Sequence, residues 1–212
     1  MPAAAPRKRP FYLVLALLAA LALGTLGSCG GWAEIAQYRD GVSADAFTVD
    51  IAHEDDKTAV AARAQQYVHA FDAAEPRGYP LAVAALLLGG AVAFFAMRAM
   101  SGTSGSSAAR SALVQVVLAQ AALGLGSYWL LRDVYHAKLQ LTDAQLAAAM
   151  REQITDPQVA DQFVRIDAKM IRVFVPVLIG LQTLTSALIV VALTRRRSRD
   201  FFEAAAAALE ER

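Results

Sequence analysis

Between Arg172 and Arg195 the chain reads VFVPVLIGLQTLTSALIVVALT (residues 173–194), a run of 22 residues without a charged side chain. A helix rises about 1.5 Å per residue, so a helix over this run would cross a hydrocarbon layer of about 30 Å. Inside lipid, every backbone N–H and C=O must be paired within the segment, and a helix meets that need. We therefore predict a transmembrane helix at this position.

Three further runs of similar length carry no charge and are flanked by charged residues: residues 10–33, 78–97 and 111–131. Hydrophobic residues make up 57% of the chain, more than a soluble domain usually contains. The sequence thus predicts an all-α polytopic membrane protein. It would have four transmembrane helices and two helical extracytoplasmic segments.

The predicted boundaries follow from the positions of the charged residues. In chain order they give the N-terminus and first span (1–31), an outer segment (32–79), the second span (80–98), an inner loop (99–110), the third span (111–131), a second outer segment (132–172), the fourth span (173–194) and an inner tail (195–212).

Basic residues predict the orientation, because Lys and Arg near helix ends favour the cytoplasmic side. The segments 1–10, 98–110 and 195–212 contain ten Lys or Arg and four Asp or Glu, whereas the other polar segments contain ten and fifteen. Both termini are therefore expected in the cytoplasm. The composition, rich in Ala and Arg, is typical of a bacterial source and favours the bacterial inner membrane.

The first outer segment contains one clear helical pattern. An apolar stripe recurs at helical spacing through Val60, Ala64, Tyr67, Val68 and Phe71. Before it, the alternation at residues 47–51 gives a weak strand signal. After it, the prolines and glycine at residues 76–80 predict a break before the second span.

In the second outer segment, Thr142 and Gln145 have the spacing of a capping box. Asp156 followed by Pro157 predicts a new helix start, and the helical pattern then continues for about 40 residues. Pro176 lies inside that helix and is expected to kink it. The inner loop, rich in Gly and Ser, predicts a flexible turn, and the tail predicts a short, frayed helix.

Cys29, the single cysteine, allows two interpretations and excludes an intrachain disulfide. Residues 1–29 resemble a secretory signal peptide that ends in a bacterial lipobox, whose cysteine would be lipidated after cleavage. The favoured interpretation is an uncleaved first helix, because a lipid-anchored protein with several spans is unusual.

Gly27–Ser28 and Gly126–Ser127 each precede a proline by about 50 residues, and we attribute this weak internal repeat to chance rather than duplication.

Small and polar residues predict how the spans pack, since membrane helices associate through close contact and interhelical hydrogen bonds. Gln120 and Gln182 lie at comparable depths and could pair; a polar pathway is the alternative, but no ionisable residue lies within the spans. The predicted packing residues are Ala20, Gly24, Ser28, Gly89, Gly90, Gln120, Gly126 and Gln182.

The candidate metal ligands are weak. His69 and Asp72 share a helix face, and His53 and His136 could join them, but acidic helix faces are usually only solvated. Phosphate-binding glycine loops and nucleophile elbows are not visible in the sequence. We predict no cofactor, no nucleic-acid partner and no catalytic site.

The leading functional hypothesis is therefore a non-enzymatic scaffold or accessory subunit, which presents its outer helices to a protein partner. The first alternative is a small transporter or channel subunit that acts as a homo-oligomer. The second is an extracytoplasmic metal-dependent enzyme.

Overall fold

A computed structural model describes residues 9–48, 51, 53–101, 106–154 and 157–210. This part of the chain is all helical and contains no strand, which confirms the predicted fold class. A 3-10 turn, Ala44–Phe47, follows the first helix. The six α-helices are α1 (Phe11–Asp40), α2 (Glu54–Ser101), α3 (Ser106–Leu130), α4 (Arg132–Gln153), α5 (Pro157–Thr194) and α6 (Arg196–Glu210).

Four helices are long and apolar enough to cross a membrane. The candidate spans lie within Phe11–Asp40, Glu54–Ser101, Ser107–Leu130 and Val175–Thr194. Their positions agree with the four charge-free runs, so the described part of the chain is helical and contains four candidate transmembrane helices.

The chain divides into two compact units. We call the first the membrane unit; it consists of Met1–Ala33, Ala82–Gly124 and Gly180–Arg212. We call the second the polar unit; it consists of Glu34–Leu81 and Leu125–Ile179.

The membrane unit has an apolar core to which five helices contribute. Small residues alternate with large ones, so the helices approach closely while the larger side chains fill the remaining space. Its buried residues are Leu13, Leu17, Ala20, Val92, Ala96, Ala99, Leu113, Val117, Ile189, Leu193 and Phe202.

The polar unit has a separate core. The stripe predicted on α2 is buried at Val60, Ala64, Tyr67 and Phe71, which confirms its helical spacing, and it packs with residues of α4. From α1, Tyr38 stacks on Phe71 with a centroid distance of 4.4 Å and an interplanar angle of 13°.

The weak strand signal near Phe47 is wrong. Residues 44–47 form a 3-10 turn, in which the N–H of Thr48 donates to the carbonyl of Asp45 at 3.1 Å; residues 49, 50 and 52 lie outside the described part. Side-chain contact explains the difference, because the Phe47 ring meets Tyr67 edge-on, with 5.8 Å between centroids. The backbone carbonyl of Phe47 accepts a hydrogen bond from the Gln145 amide at 3.4 Å.

The predicted helix break at residues 76–80 is also wrong. Helix α2 runs for 48 residues, and Pro76 and Pro80 both lie inside it. Proline has no N–H, so each of the two prolines removes one backbone hydrogen bond from the helix, and Pro80 leaves the carbonyl of Pro76 without its usual donor. The two missing hydrogen bonds lie one helical turn apart. Phe71 and Ala74 before this segment and Ala82 after it are buried, so the helix gains burial on each side of the prolines.

The capping box at Thr142 is not a helix start, because α4 runs through it from Arg132. The Thr142 hydroxyl donates instead to the carbonyl of Lys138 one turn earlier, at 2.9 Å. Helix α5 begins at Pro157 as predicted and continues through Pro176 for 38 residues. The predicted cap at Asp156 lies outside the described residues, and the kink at Pro176 stays a prediction.

The tail is a helix, as predicted, but it is packed rather than frayed. Phe202 is 1% exposed and Ser198 is fully buried, so α6 belongs to the core of the membrane unit. The Ser198 hydroxyl donates to the carbonyl of Ala192 at 2.7 Å and lies 3.2 Å from the Tyr12 hydroxyl. The sequence pattern did not reveal this, because one buried aromatic residue fixes a helix that is otherwise mostly alanine and charge. Of the inner loop predicted at residues 99–110, residues 99–101 end α2 and residues 106–110 begin α3, so the loop is shorter than predicted; residues 102–105 lie outside the described part.

Candidate binding site in the polar unit

The candidate metal ligands lie in different places. His53 directly precedes α2, and its carbonyl accepts a hydrogen bond from the N–H of Lys57. His69 and Asp72 line an open depression of about 460 Å³, whereas His136 lines a different cavity. Among the described residues, no group of three or more His, Cys, Asp or Glu side chains could hold a metal ion. The structure thus brings together only the pair already adjacent on one helix face.

The second cavity lies along α4 and has a volume of about 310 Å³; we call it the α4 cavity. Its α4 residues are spaced by whole helical turns, beginning with Arg132, His136 and Leu139, so one face of the helix forms the wall. The full lining consists of Tyr128, Arg132, Tyr135, His136, Leu139, Gln140, Asp143, Val175 and Pro176.

The α4 cavity depends on how α3 passes into α4. Only Leu131 separates the two helices, and its N–H donates to the carbonyl of Ser127 at 2.9 Å. Leu131 is 7% exposed, and its carbonyl accepts a hydrogen bond from the N–H of Tyr135 at 3.1 Å. Tyr128 and Tyr135 therefore remain neighbours across the junction, with ring centroids 5.6 Å apart.

Two polar contacts between α2 and α4 hold the α4 wall in place. Arg151 on α4 pairs with Asp56 on α2 at 2.6 Å, and the Asp56 side chain is only 11% exposed. Arg63 on α2 donates to the Gln140 side chain at 3.1 Å. The wall that carries His136 and Gln140 is therefore tied to α2 at two points along its length.

A carboxylate lies among the tyrosines of the polar unit. Burial raises the pKa of Tyr38 to about 12, and the negative charge of Glu34 contributes to that rise. The pKa values of Tyr67 and Tyr135 are also raised, first by burial and then by Glu34. The Glu34 residue is exposed as a whole, yet desolvation around its carboxyl group raises its pKa, and the Lys138 charge opposes that rise.

The side chains around the α4 cavity and Glu34 can bind a ligand through hydrogen bonds, but none of them is an obvious nucleophile. The tyrosines stay protonated at neutral pH and can donate hydrogen bonds, while Arg132 and His136 add donors at the α4 cavity. The sequence predicted neither the α4 cavity nor the effect of Glu34 on the tyrosines. The spacing of residues 132, 136, 139, 140 and 143 was a usable signal for the cavity, whereas the approach of Glu34 to Tyr67 and Tyr135 depends on tertiary packing.

The predicted packing residues of the membrane unit are mostly in place. Ala20 is fully buried, and a Cβ built on Gly24 would lie 2.6 Å from the backbone nitrogen of Ala93. A Cβ on Gly89 would lie 2.7 Å from the carbonyl oxygen of Gly24. The Ser28 hydroxyl donates to the carbonyl of Leu86 at 3.3 Å. Helices α1 and α2 therefore meet backbone to backbone, as the small residues predicted.

Other predicted packing residues differ in detail. The Gln120 amide donates to the carbonyl of Leu23 on α1 at 3.2 Å, rather than pairing with Gln182. Gln182 lies beside Gly124, whose added Cβ would be 3.4 Å from the amide nitrogen. Among the described residues, none lies within 4 Å of a Cβ added to Gly126, whose packing role stays a prediction, and only the Ser28 hydroxyl lies near one added to Gly90, at 4.0 Å.

Cys29 is exposed and lies within the uninterrupted helix α1. Gly31, two residues later, is helical and buried, and its added Cβ would lie 2.5 Å from the backbone nitrogen of Leu86. Comparison of the chain with models of protein families, with curated proteins and with solved structures finds no match.

Proposed function

We propose that this protein is a membrane-anchored scaffold or accessory subunit whose polar unit binds a protein partner at the α4 cavity. The observation that carries the proposal is the lining of this cavity, where Tyr128, Tyr135, Arg132 and His136 are grouped. Tyrosine and arginine are enriched at the centres of protein interfaces, because they combine large contact area with directed hydrogen bonds.

The fixed position of α4 supports the same proposal. The Arg151–Asp56 ion pair and the Arg63–Gln140 hydrogen bond join α4 to α2 before any partner binds. A surface that is already ordered loses less conformational entropy on binding, which favours its use as a docking site. The role proposed for the protein is non-enzymatic.

We further propose that both termini face the cytoplasm of a bacterium and that the polar unit lies outside the inner membrane. Support comes from the arginines at residues 195–199, which follow the last apolar run directly. Arginines at such positions mark the cytoplasmic side, whereas the polar segments assigned to the outside are acidic overall.

Photo-crosslinking in native membranes tests the partner proposal. A photoreactive residue replaces His136 in one variant and the exposed Ala62 on α2 in the control. We expect a discrete heavier adduct from position 136, absent from position 62 and reduced at least severalfold by Arg132→Ala. Monomer alone from both positions would contradict the proposal, as would the same adduct from both.

A second candidate is a transporter or channel subunit that acts as a homo-oligomer. One observation favours it: Gln115 is an exposed amide within the apolar run of α3. A polar side chain that faces hydrocarbon is costly, and a second copy of the chain could provide a hydrogen-bond partner. Native mass measurement should then give a multimer that Gln115→Leu dissociates, and liposomes should pass ions or small solutes. A monomer without flux would exclude this candidate.

A further inference from the structure

The membrane unit has an excess of positive charge where its helices begin and end. Its described part contains no lysine, and its only carboxylates are Asp200, Glu203 and Glu210. Seven arginines outnumber them, and all lie at the start of α1, the end of α2, the start of α3 or the junction of α5 and α6: Arg9, Arg98, Arg110, Arg195, Arg196, Arg197 and Arg199.

Three of these arginines are held by aromatic rings. Arg9 lies over Phe201 at 5.8 Å from the ring centroid, and Arg110 lies over Phe202 at 5.9 Å. Arg195 lies over Tyr12 at 5.6 Å. These contacts bring the starts of α1 and α3 together with the start of α6, so these three arginines form one group rather than separate helix flanks. Cation–π contact also orients a guanidinium without neutralising it.

Arg110 is the most constrained member of the group. Its terminal nitrogen donates to the carbonyl of Leu193 at 3.0 Å, while its Nε is buried and has no hydrogen-bond partner among the described residues. Burial and the nearby charge of Arg199 lower the pKa of Arg110, and only Glu203 opposes them. Two guanidinium groups thus repel each other with little compensating negative charge, which a bound anion would supply.

We propose that these arginines bind the phosphate group of an anionic phospholipid, with Arg110 and Arg199 at the centre of the site. Guanidinium groups donate paired hydrogen bonds to phosphate oxygens, and basic residues beside a span attract anionic headgroups. A lipid is the expected source of the phosphate, because the apolar residues of the same helix ends border the group. Phe201 is partly buried beside Arg9, and Leu15 and Leu18 on α1 are exposed to the surroundings.

Helix α6 explains why the site would be specific rather than a diffuse charged surface. Its anchors Phe202 and Ser198 are buried, so Arg197 and Arg199 are exposed on a helix with a fixed position. A diffuse surface would respond to total charge alone. A fixed group should respond more strongly to loss of Arg199 than to loss of an arginine elsewhere on the protein.

Thermal unfolding and native mass spectrometry in a neutral detergent provide the test. The purified full chain is titrated with phosphatidylglycerol, with phosphatidylcholine and with inorganic phosphate. The variants are Arg199→Gln and, as a control with the same charge loss, Arg77→Gln, which alters an exposed arginine of the polar unit. We expect phosphatidylglycerol to raise the unfolding temperature and to remain bound in the spectrometer, with an apparent affinity about fivefold lower in Arg199→Gln and unchanged in Arg77→Gln.

Several results would overturn the proposal. Equal stabilisation by phosphatidylcholine would remove the role of headgroup charge, and equal stabilisation by inorganic phosphate would indicate a site for free anions. Equal weakening by Arg77→Gln would indicate diffuse attraction. If Arg199→Gln does not fold, Arg199→Lys keeps the charge but loses the paired hydrogen bonds, and wild-type affinity in that variant would exclude the guanidinium contact.

Discussion

At Gly89 the backbones of α1 and α2 approach so closely that a methyl group has no room. An added Cβ would lie 2.7 Å from the carbonyl oxygen of Gly24 and 2.9 Å from the carbonyl carbon of Gly27. Both neighbours are backbone atoms of a packed helix, so they cannot rotate away as a flexible side chain could. The two helices would have to separate, and the small contacts along their interface would be lost.

We therefore expect Gly89→Ala to lower the free energy of unfolding by about 1–3 kcal/mol. Gly126→Ala is the control, because none of the described residues lies within 4 Å of its added Cβ. Alanine favours a helix over glycine, so Gly126→Ala should be neutral or stabilise the protein by up to about 1 kcal/mol. Reversible unfolding in mixed micelles measures both values, and equal destabilisation by the two substitutions would contradict the packing described for α1 and α2.

The raised pKa of Tyr38 should make the free energy of unfolding depend on pH. The unfolded chain loses its tyrosine protons near pH 10, whereas the folded protein keeps that of Tyr38 up to about 12. Between these values the unfolded state binds fewer protons, so the free energy of unfolding should fall as the pH rises through this window. The stabilisation is fully present below about pH 10.

Tyrosinate absorbance, which sums over all six tyrosines of the chain, checks the effect of Glu34 on their ionisation. Glu34 raises the pKa values of Tyr38, Tyr67 and Tyr135, so Glu34→Gln should start tyrosine ionisation at a lower pH. Glu75 is the smallest contributor to the pKa of Tyr38, which makes Glu75→Gln a matched control with little expected change. Coincident titration curves for wild type and Glu34→Gln would show that Glu34 does not lie near the tyrosines.

At the scale of single elements, α2 shows what a sequence pattern can and cannot predict. Its buried stripe from Val60 to Phe71 was predictable from the helical spacing of the apolar residues. The continuity of α2 through Pro76 and Pro80 was not predictable from the sequence. Proline marks a local cost of about 3 kcal/mol, and whether a helix continues depends on the burial gained on both sides, which is a tertiary property.

The same distinction applies to the functional surfaces. The arginines near α6 were visible in the sequence as a flank of the last span, but their convergence on Phe201, Phe202 and Tyr12 was not. Close packing of Gly24 against Gly89 was predictable because small residues in a span have few other uses. Partners of single polar residues, such as Gln120, were not predictable, since rotation of a helix by a fraction of a turn changes them.

The contact between α2 and α4 gives a prediction at this scale. Asp56 is nearly buried, so removal of its partner by Arg151→Ala leaves a carboxylate with poor compensation. We expect a loss of about 1–3 kcal/mol in the free energy of unfolding. The control is Arg39→Ala, because the Arg39–Asp40 pair is 76% and 64% exposed and should contribute at most about 1 kcal/mol. A loss in Arg151→Ala no larger than in the control would mean that the ion pair does not secure α4.

At the scale of the whole molecule, two separate cores share their helices. Helix α1 contributes Leu13 and Leu17 to the core of the membrane unit, and Tyr38 near its other end stacks on Phe71 in the polar unit. Helix α2 likewise contributes Val92 to the first core and Val60 to the second. Loss of all of α1 would therefore damage both units, whereas loss of residues 11–28 would remove Leu13 and Leu17 from the first core and leave Tyr38 in the second.

This sharing gives a prediction about processing at Cys29. Cleavage before Cys29 would remove Leu13, Leu17 and Ala20 from the core and separate Gly24 from Gly89. A lipid on the new N-terminus would replace none of these contacts, so we expect the first helix to be retained. The intact mass of protein extracted from membranes should be that of the uncleaved chain.

Cys29→Ala is the matched control for this measurement, because the thiol is exposed and makes no core contact. It should accumulate to the wild-type level and differ in mass only by the substitution. A wild-type mass that corresponds to a chain beginning at Cys29 with added acyl groups, lost in Cys29→Ala, would establish the lipoprotein interpretation. The core of the membrane unit would then have to form without residues 11–28, and the contact between Gly24 and Gly89 would not exist in the mature protein.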